Sequence, residues 1–281
     1  MSKVLVALDG TENFTKDLVN TSKVLFQGMK EPVMVGYLVK DLAYKVGLGK
    51  YFGNPVYADL DPYENELVSE EDQIKVEVLT NFIKCIKTSG LKYEVHDADH
   101  LTYHELVKQS IYSDLMILSY QIFFKSLDDQ PNENLLFQIL KGSRCPVLII
   151  PEGIEKIDNV IFTYDSKESS VFAIRAFSNL FNSSFKDKIV SILTVTPSLQ
   201  EEIENERLLM DLVKHHFNNV GLQLMEGTNT SQEIINFARE VENPLVIMGA
   251  FGRSTISNMI LPSVAREIIK EKNIPLFIAH R

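Results

Sequence analysis

Short apolar runs recur along the chain and alternate with stretches whose apolar residues repeat at helical spacing. The first run, Val4 to Leu8, ends at Asp9, and a later one, Val160 to Tyr164, ends at Asp165. Continuous runs of this length fit strands buried on both faces, as in a parallel sheet covered by helices. After each run the period changes to that of an amphipathic helix. Phe14, Leu18 and Leu25 mark it after Asp9, and Val171, Ile174, Phe177 and Phe181 after Asp165. Glu12 and Glu168 stand at matching places just beyond their aspartates.

The match extends over the whole sequence as an internal repeat. A second apolar run ends at Val39, and its counterpart ends at Val195, so the interval from Asp9 to Val39 equals that from Asp165 to Val195. A fourth run ends at Tyr120 and its counterpart at Gly249, and Tyr120 precedes Pro146 by the same interval as Gly249 precedes Pro275. Each half closes with a proline and a last apolar strand, CPVLIIP and IPLFIAH. Third strands are read at KYEVH and LQLME, each just after a glycine, Gly90 and Gly221. Second helices are read from Ile74, Val78, Phe82 and Ile86, and from Leu208, Leu212 and Phe217. The segments HELVKQSI and SQEIINFA supply the third helices.

Strand alternating with helix predicts an α/β fold of two doubly wound domains, each with a five-stranded parallel sheet of its own. The boundaries are 1–150, a linker at 151–158, and 159–281. The stretch from Val39 to Tyr120 is half as long again as that from Val195 to Gly249, so the first half carries an insertion. It falls mostly within about 40–69 and includes Tyr44, Tyr51, Phe52, Tyr57 and Tyr63. Two readings stand: a surface arm over its own domain, or a tyrosine-rich contact for a partner or a second copy.

Charge and cysteine content narrow the class. Lys plus Arg number 28 and Asp plus Glu 38, a net charge of −10 that disfavours a general nucleic-acid binder. No apolar run approaches the ~20 residues that span a bilayer, and no signal-peptide pattern opens the sequence. Cys85 and Cys145 cannot form a disulfide framework and read as buried thiols of a reducing cytoplasm.

Open parallel sheets bind ligands at the carboxyl ends of their strands. Asp165, Val195 and Gly249 stand at such ends. After Gly249 the sequence reads GAFGRSTISNMILPSV, in which Gly249 and Gly252 allow a tight turn before the helix that carries Val264 and Ile268. A glycine turn feeding a helix N-terminus suits phosphate, and Arg253 adds a cation while Ser254, Thr255 and Ser263 add hydroxyls.

These segments (LVALDGTEN, IFTYDSKES, VIMGAFGRS, LPSVAREII and the two closing proline–strand pieces) resemble a tandem universal stress protein over essentially all 281 residues. The nucleotide motif of that family is Gly, two residues, Gly, nine residues, Gly, then Ser or Thr. Gly249, Gly252 and Ser263 fit it, and Pro262 stands in place of the third glycine. The resemblance implies a non-enzymatic cytoplasmic stress-response protein that binds ATP or AMP in its second half. Asp165 and the backbone near Val195 would face adenosine, and Gly249, Gly252, Arg253, Ser263 and Val264 the phosphates and ribose. It also implies a pseudo-dimer of the halves through VLII and LFIA, with a homodimer of tandem chains as a further arrangement. Proline has no N–H, so one phosphate hydrogen bond is lost. Such a bond is worth roughly 1–3 kcal/mol, about fivefold to a hundredfold in affinity.

In the first half the four motif positions are Tyr120, Phe123, Glu133 and Asn134, which leaves no nucleotide site of this type. An alternative reading therefore treats the chain as a protein-interaction module with both sites degenerate. His96, Asp97, Asp99, His100 and His104 are read as surface residues rather than a metal site, and no catalytic constellation or P-loop can be assigned. An ATP-using enzyme of related architecture would need a catalytic signature that this sequence lacks.

Overall fold

Side chains of successive strand residues point to opposite faces, and here both faces are apolar. Val4, Val6 and Leu8 pack into one layer and Leu5 and Ala7 into the other. The computed structural model of the chain describes residues 2–8, 12–29, 31–38, 78–95, 102–124, 133–249 and 263–280. The first half contains β1 (Ser2–Leu8), α1 (Glu12–Leu25), β2 (Pro32–Leu38), helical residues 78–89 (α2) and β3 (Lys92–Val95). It continues with α3 (Tyr103–Ser110), β4 (Leu115–Ser119), a 3-10 turn at Tyr120–Phe123, α4 (Glu133–Gly142) and β5 (Val147–Ile150). The second half repeats the plan with β6 (Asn159–Thr163), α5 (Glu168–Phe185), β7 (Ile189–Thr196), α6 (Glu206–Lys214) and β8 (Asn219–Glu226). It ends with α7 (Thr230–Glu240), β9 (Pro244–Gly249), α8 (Ser263–Lys270) and β10 (Leu276–Ala279).

Within each half all five strands run parallel, as the alternation predicts. The halves do not keep separate sheets, however. They form one ten-stranded sheet in the order β3-β2-β1-β4-β5-β10-β9-β6-β7-β8. The join is antiparallel, Leu276 opposite Ile149 and Ile278 opposite Val147. Both joining strands are buried along their whole length, so their backbone polar groups need partners, and each strand supplies them to the other.

Each layer is continuous across this join. Helices α1, α2, α5 and α6 cover one face, with Phe82, Phe162, Phe177, Phe181 and Phe277 at its centre. Helices α3, α4, α7 and α8 cover the other, through Leu106, Ile139, Ile235 and Ile268. Ser184 Oγ of α5 donates to the Leu25 carbonyl at the end of α1 (2.7 Å), tying the halves together on the first face. The connection from β5 to β6 is pinned as well. The Gly153 amide donates to Asp17 of α1 (3.0 Å). Asp158 accepts from Lys188 Nζ (2.8 Å), Lys156 Nζ (2.9 Å) and Asn243 Nδ2 (2.9 Å). Hydrogen bonds from Lys188 and then Lys156 hold the Asp158 carboxyl down to about 2.

Three local readings need correction. Leu208 does not face the core: it is 67% exposed, and α6 buries Leu209 and Val213 instead, with Phe217 beyond its end. Gly221 lies inside β8 rather than before it. Tyr120 has already left β4 and starts the 3-10 turn. The tyrosine-rich segment at about 40–69, Asp9, Val39, and His96 to His100 lie outside the described residues, whereas His104 is exposed on α3.

Candidate functional site

In the second half the strand order reverses between β6 and β9, which lie side by side and parallel. The chain leaves β6 toward β7 on one side, and β9 leads to β10 on the other. Their carboxyl ends therefore form the crevice at which doubly wound sheets bind ligands. Thr163 Oγ1 donates to the Ile247 carbonyl (3.1 Å) and ties the two strand ends together. Asp165 follows β6 by two residues, and Gly249 closes β9.

Gly249 is held by packing. A Cβ there would lie 2.4 Å from the Ser169 carbonyl carbon and oxygen and 2.7 Å from the Ser170 nitrogen. The end of β9 thus abuts the backbone of the first turn of α5, and only glycine permits that approach. The same turn positions Asp165. Its Oδ1 accepts from the Lys167 amide (3.2 Å) and its Oδ2 from Lys167 Nζ (2.9 Å). Burial acts to raise the carboxyl's pKa, but hydrogen bonds from the side chains of Lys167 and Ser170 and from the Lys167 amide outweigh it. The net direction is down, so Asp165 is a carboxylate at neutral pH. Ser166, between them, takes the left-handed conformation that closes this turn (φ 61°).

Val195, next to last in β7, is partly buried against the layer that also receives Val264 of α8. Beside it Thr196 Oγ1 bonds to Glu201, and the buried Tyr164 hydroxyl donates to the Glu204 carbonyl (2.8 Å). The structure thus brings Gly249, Asp165 and Val195 to the carboxyl ends of three adjacent strands, β9, β6 and β7. Gly252, Arg253 and Pro262 lie outside the described residues, and of Ser263 only its place on α8 is described. A carboxylate that accepts hydrogen bonds, with the exposed Lys167 ammonium against it, can receive the hydroxyls or amines of a polar ligand. Among the described residues no cluster of three His, Cys, Asp or Glu could hold a metal. Burial pushes the Cys145 thiol up to about 12, which leaves it an unreactive core residue.

The corresponding crevice of the first half, at the ends of β1 and β4, is built differently. Tyr120, Ile122, Phe123 and Phe124 are all buried in the core. The Tyr120 hydroxyl donates to the Ile274 carbonyl, in the turn between α8 and β10 of the other half. Burial, with Glu271 nearby, raises the pKa of this hydroxyl. Lys272 Nζ from the same turn lies 4.5 Å from the centre of the Phe124 ring. Tyr120, at a first-half motif position, and Phe124 close by therefore clasp the second half. Sequence reasoning treats the motif positions only as a lost ligand site, although the apolar run YQIFF is itself a signal of burial.

Comparison with known proteins agrees with this architecture. The sequence model of the universal stress protein family matches residues 187–280. A universal stress protein of Synechocystis sp. is 22% identical over 141 residues, 50% of this chain. The chain spans about half the length of that curated relative, 48%. A solved universal stress protein from Archaeoglobus fulgidus superposes with a TM-score of 0.68 at 17% identity, covering 99% of this chain and 96% of the other. A putative universal stress protein from Pseudomonas aeruginosa gives 0.57 at 12% identity, covering 100% and 93%. At these identities the superpositions show the fold, which is that of the universal stress proteins along the whole chain.

Proposed function

We propose that this chain is a non-catalytic stress-response protein of the cytoplasm that binds one adenine nucleotide, ATP or AMP, in its second half. The observation that carries this reading is the asymmetry of the two crevices. In the second half Asp165, Val195 and Gly249 stand at the ends of adjacent strands, and Val195 and Gly249 fall within the stretch that the family model matches. In the first half the residues at the matching positions, Tyr120 and Phe123, are buried in the core. The ligand contacts assigned here are Asp165 and the Val195 backbone toward adenosine, and Gly249, Gly252, Arg253, Ser263 and Val264 toward phosphates and ribose. A second reading, an interaction module without a nucleotide, is favoured by one observation: packing against Ser169 already accounts for Gly249.

Calorimetric titration with ATP and AMP separates them. Wild type is expected to bind weakly to moderately. Pro262→Gly regains an amide donor and is expected to tighten binding by about fivefold to a hundredfold. Absence of heat with both proteins would favour the interaction module.

A further inference from the structure

A sheet of ten strands ends in two edges, and the described residues leave these at β3 and β8. The two edges differ. β3 is four residues long and carries Lys92 and Glu94, which is how edges are ordinarily kept from pairing. β8 runs for eight residues, NVGLQLME, with no proline and no lysine. The Gly227 amide donates to the Thr196 carbonyl of β7 (2.9 Å). By strand alternation Asn219, Gly221, Gln223 and Met225 therefore turn their backbone groups toward β7. Val220, Leu222, Leu224 and Glu226 turn theirs outward. Val220 and Leu222 pack into the same layer as α6, where Leu208 is 67% exposed.

Charge is distributed unevenly along this edge. Its carboxyl end holds Glu226, opposite Thr196, which bonds to Glu201; the segment that follows β7 carries Glu201, Glu202, Glu204 and Glu206, all exposed, against one exposed cation, Arg207. Its amino end adjoins Lys186, whose carbonyl accepts from the Asn218 amide (2.8 Å), and Lys214 at the end of α6. Asp187, also there, is tied to Asn218 Nδ2 (2.6 Å).

We infer that β8 is the interface with a second copy of this chain, paired antiparallel about a two-fold axis at Gln223. That register places Leu222 opposite Leu224 and Val220 opposite Glu226, with all outward amides and carbonyls matched. It sets the acidic end of each edge against the Lys186–Lys214 end of the other. Because the axis is perpendicular to the sheet, the two α6 helices come side by side, antiparallel, and cover Leu208. The β5 and β10 edges are already consumed by each other, so this surface extends the sheet without disturbing the join between halves.

Sedimentation equilibrium of the full chain tests the assignment. Wild type is expected as a dimer, twice 32.0 kDa. Leu224→Pro removes an outward amide, a substitution that edge strands tolerate, and is expected to weaken dimerisation about tenfold or more while the circular dichroism spectrum is unchanged. Glu226→Lys is expected to weaken it too, and Glu226→Lys with Lys186→Glu to restore it. A monomeric wild type, or a dimer indifferent to Leu224→Pro and to both charge variants, would overturn the inference.

Discussion

Tyr120→Ala is expected to lower the free energy of unfolding by about 3–5 kcal/mol, the range for truncating a large core aromatic. The side chain is 2% exposed, sits at the meeting of the two halves, and donates its hydroxyl to the Ile274 carbonyl. Two losses combine in the alanine variant: a cavity in the layer shared by both halves, and a buried carbonyl left without its donor. Tyr120→Phe separates them. It keeps the ring and removes only the hydroxyl, so its expected cost is about 1–3 kcal/mol. Urea unfolding of the full chain, followed by circular dichroism, measures both. Values within about 0.5 kcal/mol of wild type for both variants, the range of ordinary surface changes, would show that the clasp does not hold the halves together.

Gly249→Ala is expected to be severe for a different reason. Its backbone is not in the left-handed region, so alanine is conformationally allowed; the obstacle is the Ser169 backbone, 2.4 Å from the new Cβ. Backbone cannot rotate away as a side-chain tip can. The end of β9 and the first turn of α5 must move apart, at a cost of about 3 kcal/mol or more. The same urea measurement reads this loss, with a wild-type midpoint as the contrary result. Loss of ligand binding in this variant would combine a displaced α5 turn, and with it Asp165, with any contact that Gly249 itself makes. Gly252→Val is therefore the cleaner probe of the proposed loop.

Much of this architecture is legible in the sequence because buried parallel strands leave an unusually plain mark. Runs such as VLVAL, LMIL, VLII and LFIA are apolar on both faces, and proline and glycine bracket them. Where only one face is buried the pattern is ambiguous. On α6, Leu208, Leu209, Leu212 and Val213 all fit a helical period. Which pair turns inward is decided by contact with β8 and α5, which no local pattern contains. The joining of the sheets is not carried by local pattern, because β5 and β10 look alike whether they are paired or covered; the family resemblance is what points to VLII and LFIA, and these are the strands that pair. At the candidate site, strand ends and turn glycines locate Asp165, Val195 and Gly249. The role of Lys167 is not legible, since its pairing with Asp165 depends on the left-handed Ser166 between them. Tyr120 stands out in the sequence for what it replaces rather than for what it touches 154 residues away.

On the proposed reading only the second half takes a nucleotide, while Tyr120 of the first half holds the two halves together. Native mass spectrometry of the full chain titrated with ATP counts bound ligands directly. One nucleotide per chain is expected, strengthened in Pro262→Gly and lost in Gly252→Val. Two nucleotides per chain, or none in wild type and Pro262→Gly alike, would contradict it.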